Sequence, residues 1–212
     1  MDAQIYLIRH GETAWSLSGQ HTGRTDLPLT EPGEQQARHV GELLHAIEFS
    51  QVLVSPLRRA LRTCELAGFG AVARIEQDLS EWNYGDYEGL TPAQIRAQRP
   101  GWDVYRDGCP GGESAERVAV RADRVIAELR TLQGRVALFS HGQFLRALAV
   151  RWIELPIEQG YHLGLDTGSL SILGYEHNNV EAPAIMLWNA VSNDLFELMP
   201  RPGSNAADLS AS

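Results

Sequence analysis

Short, uninterrupted apolar runs alternate along the chain with longer stretches in which apolar residues recur every three or four positions. The runs at 5–8, 51–54 and 136–139 have strand length, and a strand covered on both faces of a parallel sheet needs apolar residues on both. Ala37, Val40, Leu43, Leu44 and Ile47 form a helical stripe behind a Thr30 cap with Pro32 in the first turn. Val118, Ala122, Val125, Ile126, Leu129 and Leu132 form a second stripe behind Ser114. Further helices are expected after Ser55-Pro56, from Thr91-Pro92 to just before Pro100, and over about 143–153. Residues 72–75 add a short strand, and 168–175 and 184–188 read as the last two strands, the second at an edge. Residues 15–29, 78–89 and 102–112 show no sustained period and read as loops. The pattern predicts an α/β fold, a three-layer α/β/α sandwich with a mostly parallel sheet flanked by helices. One domain is expected over 1–199, followed by a flexible tail over 200–212, where the composition turns small and polar.

Composition narrows the partners. A chain of 212 residues with 43% hydrophobic and 21% charged residues can bury a substantial core. A net charge of −9 argues against nucleic acid, whose phosphate backbone calls for a basic face. A small anionic substrate remains compatible, because a local arginine cluster can dominate one pocket. Cys64 and Cys109 have neither metal-site spacing nor the density of a disulfide scaffold, so reduced thiols and a cytoplasmic location are expected. Neither a signal peptide nor a membrane-spanning segment is read from the sequence.

The chemistry gathers where strands end. The first run closes on Arg9-His10-Gly11, the second leads into Arg58-Arg59, and the third closes on His141-Gly142. Parallel strands joined by helical crossovers place their C-terminal ends on one side of the sheet, so these motifs are expected in one pocket. Two imidazoles and two or more guanidiniums suit a phosphoryl group. Basic residues in the first turns after residue 55 oppose the helix dipole unless an anion lies between them, which points the same way. Phosphoryl transfer needs a nucleophile, charge stabilisation and a proton for the leaving group. One imidazole can attack phosphorus, the arginines and a protonated histidine can supply charge without a metal or cofactor, and Glu81 is the candidate proton donor. The sequence holds no HExxH, Walker or carboxylate-cluster metal motif.

The segments LIRHGETAW, SPLRRALRT, EWNYGDYEG and SHGQFLRAL together resemble the histidine phosphatase superfamily, also called phosphoglycerate mutase-like. The resemblance runs through nearly the whole chain in the family's order. It implies that His10 is the phosphorylated nucleophile, that Arg9 and Arg59 bind the phosphoryl group, that His141 is the second histidine of the pocket, and that Glu81 is the proton donor. Gly11, Ser16, Thr22, Gly23 and Gly142 are the implied substrate-binding positions. Ser16 stands where many members carry a phosphate-binding Asn, and Arg62 is left as electrostatic support. The segments 15–30, 81–91, 102–113 and 168–189 are similar to acid phosphatases and sedoheptulose-bisphosphatase-like sugar phosphatases.

The expected activity is therefore hydrolysis of a small phosphorylated metabolite through a phosphohistidine, with no nucleic acid or membrane partner and a homodimer left open. A phosphoglycerate mutase shares the covalent step and is the rival reading. A catalytically inert phosphate-binding domain is a weaker third. Against the mutase, only about sixty residues separate Glu81 from His141, without a Pro- and Arg-rich insert, and Trp82-Asn83 replaces the mutase-like Arg-His.

Overall fold

The computed structural model describes residues 4–191, so the tail predicted over 200–212 lies outside the described residues, as does 192–199 of the predicted domain. Among the described residues six strands make one sheet. They are β1 (Gln4–Arg9), β2 (Gln51–Val54), β3 (Ala73–Ile75), β4 (Arg135–Ser140), β5 (Leu170–Tyr175) and β6 (Pro183–Ala190), in the order β3-β2-β4-β1-β5-β6. The first four run parallel. β5 is antiparallel to β1, and β6 is antiparallel to β5. This is the mostly parallel α/β sandwich that the apolar runs predict.

Each central strand is apolar on both faces because each face has its own helical cover. In β1, Ile5 and Leu7 enter one core while Tyr6 and Ile8 enter the other. In β4, Val136 and Leu138 alternate in the same way with Ala137 and Phe139. On one face α2 (Glu31–Leu44) and α3 (Arg58–Leu66) bury Val40, Leu44, Ala60 and Cys64. On the other, α6 (Ala115–Leu129) and α7 (Gly142–Trp152) bury Val118, Ala122, Val125, Phe144, Leu148 and Trp152. A residue slip in any of these strands would exchange its two faces, so the register is tightly specified.

Besides 3₁₀ turns, the described residues hold three further short α-helices: α1 (Ala14–Ser18), α4 (Pro92–Gln98) and α5 (Val104–Asp107). Two of them fall where loops are expected. α1 is nucleated by a reciprocal cap, in which Thr13 accepts from the Ser16 amide and Ser16 Oγ accepts from the Thr13 amide. α5 is started by Asp103, which accepts from the Tyr105 amide. Helices of five and four residues are too short to display a hydrophobic period, so only their caps could reveal them. No described helix is long and apolar enough to cross a membrane.

Register fixes what meets at the sheet's end. Arg9 lies opposite Ser140, and Phe139 lies opposite both Ile8 and Val54. The next residues, His10, His141 and Ser55, therefore emerge side by side from three adjacent strands.

Candidate active site

His10 is held by backbone on both sides. Its amide donates to the Ser140 carbonyl at 3.0 Å, and its own carbonyl accepts from the Gly168 amide at 3.1 Å. Its ring Nδ1 lies 2.7 Å from the Gly11 carbonyl oxygen. A carbonyl only accepts, so Nδ1 carries the hydrogen and Nε2 carries the lone pair. Burial, then the charges of Arg59 and Arg9, push the His10 pKa well below its ordinary value, which keeps the ring neutral. Gly11 permits the close approach of α2 beside it: a Cβ there would lie 2.1 Å from the Gly33 carbonyl oxygen.

Arg59 is fully buried at the start of α3. Its Nε donates toward His10 Nε2 at 3.3 Å, and its terminal nitrogens donate to the carbonyls of Thr25, Thr22 and Gly23 at 3.1, 3.0 and 2.9 Å. The 22–25 loop is thus the socket for this guanidinium. Glu88 holds that loop from the far side, accepting from the amides of Gly23 and Thr25. Burial lowers the pKa of Arg59, with Glu81 and Asp26 opposing. Of the basic cluster after β2, only Arg59 enters the pocket. Arg62 is paired outside with Glu34 at 3.0 Å and with Glu65 at 3.4 Å. Nor is the end of α3 free for an anion, since Asp26 already accepts from the Arg58 amide at 2.8 Å.

Arg9 donates through Nη1 to the Leu165 carbonyl and lies flat against Gly142, where a Cβ would come 3.2 Å from its Cζ. Its Nε is buried without a partner. His141 is fully buried, and its ring centroid is 5.2 Å from that of His10. Its Nε2 lies 2.6 Å from Ser55 Oγ, while Nδ1 is buried without a partner. Burial, then Arg59 and His10, hold the His141 pKa well below its ordinary value. These two buried nitrogens without a protein partner, one of them on a cation, mark where an oxyanion would be accommodated.

Glu81 approaches from the 78–89 segment. Its Oε1 accepts from the amides of Trp82 at 2.8 Å and Phe144 at 2.9 Å, and Oε2 accepts from the Gln143 amide at 3.1 Å. The carboxyl group thereby caps α7, the helix that starts directly after His141. Behind it lies a pair that the sequence reading does not single out. Arg121 Nε and Nη2 meet the two carboxylate oxygens of Glu113 at 3.1 and 3.0 Å, and Nη1 donates to the carbonyls of Asp78 and Ser80. Glu113 also accepts from the Asn83 amide at 2.8 Å, so both sides of Glu81 are clamped.

The remaining expected positions divide. Thr22 and Gly23 reach the site through their carbonyls on Arg59, and Gly142 reaches it as the surface beneath Arg9. The Ser16 hydroxyl is committed to Thr13, donating to its carbonyl at 3.0 Å. Thr63 links two motifs, donating to the Arg59 carbonyl at 2.7 Å and accepting from the Gly11 amide at 3.1 Å. Ser55, Thr63, Glu113 and Arg121 carry no charge pattern or spacing of their own in the sequence. Only the tertiary contacts reveal them.

Known proteins resemble the chain over most of its length. The chain is 46% identical over 82% of its length to a protein of Mycobacterium tuberculosis named acid phosphatase, of which it covers 87%. It is 32% identical over 85% of its length to the sedoheptulose 1,7-bisphosphatase of Saccharomyces cerevisiae, covering 90% of that protein. A protein of Photorhabdus laumondii named "probable phosphoglycerate mutase GpmB" is 33% identical over 82% of the chain and is covered to 86%. A solved structure of an open reading frame product of Mycobacterium tuberculosis superposes with a TM-score of 0.83 at 40% identity, covering 90% of this chain and 99% of that one. The family model for the histidine phosphatase superfamily (branch 1) matches residues 5–190, and the chain belongs to that superfamily.

Proposed function

We propose that the chain is a metal-independent phosphomonoester hydrolase that acts on a small phosphorylated metabolite, such as a sugar phosphate, through a phosphohistidine on His10. The observation that carries this reading is the state of His10: neutral, with its hydrogen fixed on Nδ1 by Gly11 and its Nε2 lone pair facing the Arg59 guanidinium, in the field of Arg9 as well. In the first step the Nε2 lone pair forms the N–P bond as the bond from phosphorus to the leaving oxygen breaks. Arg59 shifts its Nε–H from His10 to a phosphoryl oxygen, and the unpaired Arg9 Nε takes another. Glu81 gives its proton to the leaving oxygen. In the second step water attacks phosphorus, Glu81 recovers a proton from that water, and the N–P bond breaks to free phosphate.

Hydrolysis is favoured over mutase chemistry by the arginines between Glu81 and His141. Arg99 and Arg106 are paired with Asp107, and Arg96 donates to the Trp102 carbonyl, so these cations serve their own segment. A mutase must retain a bisphosphorylated intermediate and exclude water. Cys64 and Cys109 are free and buried, and burial pushes both thiols up to about 12, which suits inert thiols in a reducing cytoplasm.

The test is phosphoenzyme trapping with phosphate release measured on sugar phosphates and phosphoglycerates, with and without chelator. Wild-type enzyme is expected to form an acid-labile phosphoenzyme and to be indifferent to chelation, and His10→Ala to lose turnover and trapping together. Trapping that persists in His10→Ala, activity that requires added Mg²⁺, or isomerisation of 3-phosphoglycerate faster than phosphate release would each overturn the reading.

A further inference from the structure

We propose that Ser55 is a positioning residue that fixes His141 in the tautomer with its hydrogen on Nδ1, and so presents an N–H donor to the phosphoryl group bound by His10. The inference rests on the reading of His10 as phosphoryl acceptor, and it assigns a role to a residue outside that mechanism.

The argument is a proton count. Ser55 Oγ has two neighbours, the Leu57 amide at 3.3 Å and His141 Nε2 at 2.6 Å. The amide can only donate, so it occupies the oxygen as acceptor. The Ser55 hydroxyl hydrogen then has one partner that can take it, the Nε2 lone pair of His141. With that assignment Nδ1 bears the ring hydrogen, and the protein leaves that one donor unpaired. The opposite tautomer leaves two groups unmatched, a bare Nδ1 lone pair and a Ser55 hydroxyl hydrogen, both fully buried. Leaving a buried polar group unpaired is costly, so the first arrangement is selected.

The same choice decides what His141 can do. A neutral ring with hydrogen on Nδ1 donates to a phosphoryl oxygen, whereas a lone pair at Nδ1 would repel it. Burial, then the charge of Arg59, works against the alternative of an imidazolium with hydrogen on both nitrogens. Ser55 is well placed for this task. Its amide is fixed on the Phe139 carbonyl at 2.9 Å, so strand register, rather than a mobile loop, sets the hydroxyl.

The experiment reads the tautomer directly. Full-length protein carrying ¹⁵N-histidine is examined by long-range nitrogen–proton NMR in the resting state at pH 7.5, with the His141 signals identified by their loss in His141→Gln. A protonated Nδ1 and a bare Nε2 are expected in wild type and in Ser55→Thr. Ser55→Ala and the near-isosteric Ser55→Cys, a poor donor, should lose this single tautomer and weaken binding of inorganic phosphate by about tenfold, the worth of one hydrogen bond. A wild-type signal with hydrogen on Nε2 would overturn the proposal. So would an unchanged tautomer in whichever of the Ala and Cys variants folds. The measurement needs no turnover, so a failure of the phosphatase reading would show in trapping and phosphate release while the tautomer result stood.

Discussion

The Nε–H of Arg59 meets Nε2 of His10 across 3.3 Å, so in the resting site the nucleophilic lone pair is already engaged. Attack requires that this hydrogen pass to the incoming phosphoryl group. The guanidinium cannot swing away, because three carbonyls of the 22–25 loop fix its other nitrogens. Arg59 therefore guards the nucleophile, binds the substrate and shapes the pocket wall with one rigid plane.

Arg59→Lys separates these roles. An ammonium can keep the charge but cannot span His10 and three carbonyls at once. We expect kcat/KM to fall by about 10²–10³, comparable with removal of one preorganised oxyanion donor. Steady-state kinetics on an aryl phosphate checks this. A loss of less than tenfold would reduce Arg59 to a holder of the loop.

Much of this was legible before the fold. The runs at 5–8, 51–54 and 136–139 are apolar on both faces because the sheet is covered twice, and both cores confirm it. His10, the Arg58-Arg59 pair and His141 follow from where strands end, since parallel topology aligns those ends, and the family resemblance singles out Arg59 of the pair. Ser55, Glu113 and Arg121 were not legible. Each acts through a partner on another element, His141, Arg121 and the 78–84 segment among them. The reading of Arg62 as support for the site failed for the same reason, because Glu34 on α2 takes its charge.

Glu81→Gln tests the proton donor. The amide can still accept from Trp82 and Phe144, but its NH₂ then faces the Gln143 amide, donor against donor. Alkyl phosphates, whose leaving oxygen needs a proton, should lose about 10²–10⁴ in kcat. Aryl phosphates should lose far less. The ratio of the two losses is the readout, and equal losses would make Glu81 only the cap of α7.

Glu113→Ala tests the clamp behind it. Arg121 is nearly buried and stacks 4.3 Å from the Phe144 ring, so removing its carboxylate strands a cation against the core. Breaking such a pair costs about 3–5 kcal/mol, and in a chain of this size each kcal/mol lowers Tm by roughly 2–4 °C. Calorimetry should therefore show a drop of about 6–20 °C. A double-mutant cycle with Arg121→Met should recover part of the loss, since the unpaired charge is then gone. No recovery would show that the two residues act independently.

Acid should weaken the fold before it protonates the nucleophile. His10 and His141 have folded pKa values held well below 6.5, by burial first and then by Arg59, and burial lowers His21 to about 4. The folded state therefore binds fewer protons than the unfolded chain wherever pH lies between those values and 6.5. Stability rises with pH in that window, is complete above it, and is lost as pH falls through it. Each histidine contributes a slope of about 1.4 kcal/mol per pH unit there. Urea midpoints should accordingly be level from pH 8 to 7 and decline steadily from about 6 to 5, by roughly the sum of these slopes. Over the same range His10 stays neutral, so kcat/KM from brief assays should show no loss centred near 6.5. A midpoint flat down to pH 5 would mean that the rings are protonated in the fold. An activity loss centred near 6.5 would give the nucleophile an ordinary imidazole's titration and contradict the buried, cation-lined site around His10.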